Sequence, residues 1–301
     1  MGFGKMAELK ALIVGCGYVG TALGRALVER GDTVVGVCRM ETSVADLKKI
    51  GIDPVIADIT SLDSLRRIKS CFDAVIDCVS SSQRGEAAYR EVYLKGTINL
   101  LEWAKQSPPK ILVFTSSTTV YAQTDGMWVD ETSPTEPPHA SGQILLETER
   151  LLLASRLPAT ILRLAGIYGP GRHAILDKLH HGTEVLPGDG QHYVNMIHRD
   201  DVVQAILAAM DGRPSGDLFN IVDDEPVRQA DYVCWLCEQL KLAMVKFDPS
   251  METRFKGDMR KGFQANRRVR NERLKSVLKV QLRFPNFRYG LQTLLRNRLE
   301  S

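Results

Sequence analysis

Ala11-Leu-Ile-Val-Gly-Cys-Gly-Tyr-Val-Gly20 is the stretch that decides how this chain folds. Four apolar residues, ending in β-branched Ile13 and Val14, stop at Gly15, and an amphipathic run from Thr21 to Glu29 follows. That order reads as strand, tight turn and helix. Gly15 permits the turn, Gly17 lets backbone approach a ligand, and Gly20 lets the helix pack close to the strand. A helix starting at such a turn offers unpaired N–H groups and the positive end of its dipole, which suits phosphate. Thr33 to Val37 then reads as the next strand and closes a βαβ unit.

The same alternation continues outward. Strands read at Asp53 to Ile56, Ala74 to Cys78, Ile111 to Thr115 and Ala159 to Leu164, with helices at Ser61 to Lys69, Arg84 to Lys105 and Ile144 to Leu153. This predicts an α/β protein with a doubly wound parallel sheet, helices covering both faces. Beyond Ala165 the loops Gly166 to Gly171 and Gly182 to Gln191 interrupt the pattern, and the helix Asp200 to Met210 and strand Leu218 to Val222 resume it. The expected division is a sheet domain of residues 8–165 plus about 198–223, and a smaller discontinuous C-terminal substrate lobe of 166–197 plus 224–301.

With 301 residues, 44% hydrophobic and 25% charged, the chain can build one large core or two small ones. The 39 basic and 36 acidic residues leave a net charge of +3, which argues against nucleic acid or a membrane surface as the general partner. No apolar run is long enough to span a bilayer, and Met1 to Lys10 lacks the features of a signal peptide, so a soluble, cytoplasmic protein is expected. The six cysteines lie mostly in apolar runs and read as small hydrophobes; Cys234 and Cys237 have no second pair at metal spacing. From Thr253 onward ten basic residues, Arg254 to Lys279, cluster with few acids and read first as a solvated helical face, second as an anion-binding patch.

In its strand-to-helix setting, Gly15 to Gly20 is the Rossmann dinucleotide fingerprint, with Gly15, Gly17, Tyr18, Val19 and Gly20 as the candidate cofactor contacts. An NAD site usually ends its second strand in an acid that holds the ribose hydroxyl. Here the strand ends Val37-Cys38-Arg39, so Arg39 is the candidate for a 2′-phosphate and NADP(H) the expected cofactor, with NAD still compatible. A surface arginine at a strand end is the competing explanation. Asp58 is placed to meet the adenine amino group or to cap a turn, and Cys78 closes the fourth strand beside the same site.

Several motifs in order extend the comparison: Gly15 to Gly20, Lys95-Gly-Thr-Ile-Asn-Leu-Leu-Glu102, Phe114-Thr-Ser-Ser-Thr-Thr-Val-Tyr121, Ile161-Leu-Arg-Leu-Ala-Gly-Ile-Tyr-Gly-Pro-Gly171, and His198-Arg-Asp-Asp-Val202 with Phe219-Asn-Ile-Val222. By these the chain resembles the extended and atypical short-chain dehydrogenase/reductases, the NAD-dependent epimerase/dehydratase group. The resemblance implies hydride exchange with a sugar-like carbinol or carbonyl, a tyrosine acid/base, a lysine four residues later, and an upstream hydroxyl. Ser117 falls at the hydroxyl, and Ser116 and Gln143 at cofactor contacts. Where the family has Tyr-x-x-x-Lys, this chain reads His139-Ala-Ser-Gly-Gln143. His139 then becomes the candidate acid/base, because imidazole titrates near neutrality, and Tyr121 is the alternative phenol.

The expected function is an NADP(H)-binding oxidoreductase or isomerase acting on a small polar or nucleotide-sugar-like molecule, with a degenerate catalytic pair. The alternative is a catalytically silent dinucleotide sensor, and a third reading joins Arg267, Arg268 and Arg270 to RNA. A small-molecule substrate is the expected partner; a homodimer is compatible with the sequence.

Overall fold

The computed structural model describes residues 8–68, 71–83, 85–212, 216–251 and 265–299. The chain opens with β1 (Lys10–Val14), α1 (Tyr18–Arg30) and β2 (Thr33–Cys38). Ala11 to Val14 are all buried, as a central parallel strand covered on both faces requires. A 3₁₀ turn and α2 (Val44–Lys49) lead to β3 (Asp53–Ile56), and α3 (Leu62–Leu65) leads to β4 (Ala74–Asp77). Then come α4 (Glu86–Tyr89), a π-helical segment Arg90–Lys95, α5 (Gly96–Ala104), β5 (Ile111–Ser117), β6 (Trp128–Val129), α6 (Ala140–Ala154) and β7 (Ala159–Leu164).

The second half is built of shorter pieces. β8 (Gly166–Tyr168), α7 (Ala174–His180), β9 (Val185–Pro187), β10 (Tyr193–Val194) and β11 (Met196–His198) precede α8 (Arg199–Gly212) and β12 (Leu218–Ile221). β13 (Val227–Arg228), α9 (Gln229–Leu240), β14 (Lys246–Asp248), β15 (Arg268–Val269), α10 (Glu272–Ser276) and α11 (Phe287–Leu299) complete it.

Seven strands form the main sheet in the order β12-β7-β5-β4-β1-β2-β3. These are the seven strands read from the sequence. Leu12 on β1 faces Val35 on β2 and Val75 on β4 in parallel register. The chain winds outward from β1 through β2 to β3 and then returns to place β4 on the other side of β1. Such a reversal leaves a crevice at the carboxyl ends of β1 and β4, because the connections leave in opposite directions.

The described residues divide into two compact units. The first gathers those within Met1–Ser116, Ile144–Leu162 and Val203–Leu218; the second gathers Ser117–Gln143, Arg163–Val202 and Phe219–Ser301. The second has its own core, where the wholly buried Phe287 meets Tyr232 and Trp235 edge-on at 5.0 and 5.3 Å. In that unit the Asp201 carboxylate accepts the N–H groups of Arg283 and Phe284 at 2.8 and 3.0 Å, and His198 Nδ1 accepts the Asp200 N–H at 3.2 Å. Burial holds His198 down at about 4, so this ring is a neutral structural acceptor near pH 7.

Three expectations are corrected. The helix read over 61–69 is the four-residue α3, capped by Ser61 and turned at Arg66 and Arg67; Lys69 lies outside the described residues. The helix read over 84–105 is widened by the π-helical segment at Arg90–Lys95, and Arg84 lies outside the described residues. The basic cluster is not one solvated helical face: Arg268 is in β15, paired with β6, and side chains alternate along this extended segment. Arg267 therefore points inward and is only 5% exposed, while Arg268 and Arg270 each lie 5.0 Å from the Trp128 ring. Arg254, Lys256, Arg260 and Lys261 lie outside the described residues.

Candidate functional site

Within the first unit a cavity of about 440 Å³ opens at the carboxyl ends of β1 to β4. Gly15, Cys16 and Gly17 line it from the turn after β1, and Cys78 and Val79 from the turn after β4. Gly15 has φ +96°, and a Cβ there would stand 2.9 Å from Val79 backbone atoms. Both the conformation and the close approach call for glycine. At Gly20 a Cβ would meet the Gly15 carbonyl oxygen at 2.2 Å, which is how α1 lies tight against the turn. Gly17 is different: its φ is an ordinary −91°, and a Cβ would meet nothing within 4 Å. The space it leaves open lies at the start of α1, formed by Tyr18, Val19 and Gly20, where no side chain caps the helix and no acid occupies the first turn. A pyrophosphate fits that position by both geometry and field.

Arg39 follows the end of β2, and its Nη2 donates to Ser82 Oγ at 3.2 Å. Among the described residues lining the cavity, Arg39 is the only cation and Asp58 the only carboxylate. Asp58 Oδ1 accepts the N–H and the hydroxyl of Thr60, both at 2.9 Å, so this residue caps its turn as well as lining the cavity. Cys16, Cys38 and Cys78 also line it. Burial raises all three thiols, Cys16 to about 12, so they are walls rather than nucleophiles. Behind Cys78, the wholly buried Asp77 is raised to about 7 by burial, with Oδ2 unpartnered. Ser116 turns elsewhere: its hydroxyl donates to Glu149 at 2.6 Å, inside the first unit. Ser82 and Asp77 were missed by sequence reasoning; a serine in the run Ser80 to Ser82 carries no spacing signal.

The remaining candidates lie in the second unit. Ser117 is half-buried at the start of a 3₁₀ turn, where its Oγ accepts the Thr119 N–H at 3.2 Å. His139 precedes α6, and its Nδ1 accepts the Gly142 N–H at 3.0 Å with Ser141 Oγ at 3.1 Å. A backbone N–H can only donate, so Nδ1 carries the lone pair and Nε2 the proton. The ring is thus a helix cap and a donor, and in this arrangement it has no lone pair to act as a base. Gln143 is exposed, its Nε2 donating to the Pro137 carbonyl at 3.0 Å. Tyr121, the alternative phenol, is wholly buried; it donates to Asn220 Oδ1 at 2.8 Å and accepts from Arg163 at 3.0 Å. Burial raises its pKa despite the arginine, which makes it a packed structural residue rather than an accessible acid/base.

A parallel sheet with a glycine turn at its reversal point defines a Rossmann dinucleotide-binding protein. The family model for the NAD dependent epimerase/dehydratase family matches residues 11–222, and the chain belongs to that family. Protein YeeZ of Escherichia coli K12 is 34% identical over 235 residues, covering 74% of this chain and 81% of YeeZ. A putative NAD-dependent epimerase/dehydratase from Methylobacillus flagellatus superposes with TM-score 0.77 at 29% identity, over 97% of this chain and 100% of that one. A dTDP-glucose 4,6-dehydratase from Streptomyces venezuelae, solved with NAD, shares the fold with TM-score 0.83 at 21% identity, over 97% and 98%. No helix among the described residues is long and apolar enough to cross a membrane.

Proposed function

We propose that the chain is an NADP(H)-binding oxidoreductase or isomerase of the epimerase/dehydratase kind, acting on a small polar or nucleotide-sugar-like molecule. The observation that supports it best is the cavity itself, with open space at Gly17 and a lone cation, Arg39, at the end of β2. Gly15, Gly17 and the first turn of α1, Tyr18 to Gly20, hold the pyrophosphate. Arg39, with Ser43 and Ser82 beside it in the cavity wall, takes the 2′-phosphate; Asp58 meets the adenine, and Cys78 walls the ring. When bound, the nicotinamide supplies or accepts a hydride. Ser117 orients the substrate oxygen, and His139 polarises it as a hydrogen-bond donor from Nε2. Six free cysteines fit the reducing conditions of the cytoplasm.

The state of His139 and Gln143 favours a second reading, a catalytically silent dinucleotide sensor. One residue is engaged as a helix cap and the other is a neutral amide, so neither supplies the cation or the mobile proton of the family pair. Calorimetric titration with NADPH and NADH tests the cofactor claim. NADPH is expected to bind at least about tenfold more tightly, the worth of one charge-assisted contact, and Arg39→Ala to abolish the difference. Equal affinities in the unaltered chain refute it. Oxidation of NADPH across a carbonyl panel then separates the enzyme from the sensor.

A further inference from the structure

The turn that follows β4 supplies one wall of the cofactor cavity, and a residue outside the cavity holds it. Cys78, Val79, Ser80 and Ser82 line that wall, and Ser82 accepts from Arg39. The root of the turn is tied to β1, where the Val14 carbonyl accepts the Cys78 N–H at 2.8 Å. The next residue carries the contact with the glycine turn: a Cβ on Gly15 would stand 2.9 Å from Val79 N and Cα. Asp77 grips Val79 at this point, its Oδ1 accepting the Val79 N–H at 3.1 Å. Asp77 is the last residue of β4, only 1% exposed, and does not itself line the cavity.

For the fold alone, Asp77 is a poor choice. β4 is an inner strand, and the register partners of Asp77 are Val14 on β1 and Phe114 on β5, both apolar and buried. An apolar side chain suits such a place, whereas a carboxyl must give up water to enter it. Asp77 is compensated on one side only, because Oδ2 is buried without a partner. Among the described residues no basic side chain pairs with it, and the titratable groups that feel its charge, Cys78 and Tyr93, are themselves acids. A buried carboxyl kept at a cost to the fold, one hydrogen bond away from the wall of a cavity, points to a use at that cavity.

We propose that Asp77 is a positioning residue for the dinucleotide: its carboxyl fixes the Val79 backbone against the glycine turn, so that the cofactor finds both turns already in place. This rests on the cofactor reading above and adds to it a residue that does not touch the cofactor. Without the pin, the turn after β4 is ordered only at the expense of binding, and affinity falls although every group that meets the cofactor is present.

The test compares the unaltered full chain with Asp77→Val and Asp77→Asn, by calorimetric titration with NADPH and with NADH and by thermal denaturation of each free protein. Valine suits a strand and has no oxygen to offer; asparagine keeps one acceptor for the Val79 N–H. Asp77→Val is expected to weaken both dinucleotides about tenfold, the worth of one hydrogen bond, while its Tm stays within a few degrees of the unaltered chain. Asp77→Asn is expected to keep the unaltered affinity. That split between affinity and stability, with rescue by asparagine, is what a purely structural role does not produce. Unchanged affinity in Asp77→Val, or equal losses in both variants, overturns the proposal. Hydrogen exchange at the Val79 N–H is the second measurement, and it needs neither the valine variant nor a dinucleotide. Slow exchange in the unaltered chain and in Asp77→Asn supports the pin; exchange as fast as that of a free loop amide overturns it. If neither dinucleotide binds the unaltered chain, the cofactor reading fails, and exchange at Val79 still decides whether Asp77 holds the turn.

Discussion

Gly17→Val separates the fold of the glycine turn from its use. The position has φ −91° and open space where a side chain would begin, so the substitution meets no protein atom near its Cβ. A branched residue is a poorer helix cap than glycine, which costs up to about 1 kcal/mol, and the stiffer unfolded chain returns about 0.4–1 kcal/mol. The net change in stability is therefore within about 1 kcal/mol, or a few degrees in Tm at about 2–4 °C per kcal/mol. Binding responds differently. The side chain fills the approach to the start of α1 and displaces the phosphates from at least two charge-assisted hydrogen bonds, worth about 1.5–3 kcal/mol each. NADPH affinity should fall by more than about 100-fold. Gly15→Ala is the contrasting change: positive φ costs about 1–2 kcal/mol, and contacts of 2.9 Å with the Val79 backbone add to it. It should lower Tm several degrees more than Gly17→Val. Thermal denaturation with NADPH titration reads both effects. A folded Gly17→Val protein that keeps its affinity would show that phosphates do not bind at this turn.

Other outcomes follow from single residues. Asp77 is raised by burial from 3.8 to about 7, so the stability it contributes is full below about pH 4 and is lost as pH rises through 7. Urea unfolding between pH 4 and 7 should show a slope of up to about 1.4 kcal/mol per pH unit that Asp77→Asn removes; an unchanged slope refutes the assignment. His139→Ala should destabilise the start of α6 by about 1 kcal/mol, and His139→Asn should restore most of it, since asparagine accepts the same N–H. Equal losses in both variants would show that capping is not what the ring contributes. Phe287→Ala should cost about 3–5 kcal/mol in chemical denaturation, from a wholly buried ring between Tyr232 and Trp235; a loss under about 1 kcal/mol would mean that this core is not closed around it.

The inner sheet strands were legible because they are largely runs of apolar residues bounded by turn residues, and a parallel sheet buries both faces of such strands; β3, at the sheet edge and not buried, was marked instead by β-branched Val55 and Ile56. The glycine turn was legible because strand and helix flank it. What escaped the reading depends on direction rather than type. Nothing in the sequence of Arg267 to Arg270 tells which arginine turns inward, because that follows from pairing with Trp128 and Val129 far away in the chain. The resemblance suggested His139 as the residue at the family's tyrosine position, but nothing in the sequence tells that Nδ1 is the atom facing the Gly142 N–H. Tyr121 looked available as a phenol until Arg163 and Asn220 closed on it. Ser82 meets Arg39 across 43 residues, with no local pattern to announce it.

The cap formed by His139 makes this position costly to change. A tyrosine at this position places a flat carbon ring where Nδ1 now accepts the Gly142 N–H, and Gly142 is already so crowded that a Cβ would lie 2.6 Å from Pro137 and 2.7 Å from His139 Cε1. A tyrosine here would therefore leave the Gly142 N–H in the first turn of α6 without this acceptor, and a lysine in place of the exposed Gln143 would not supply one.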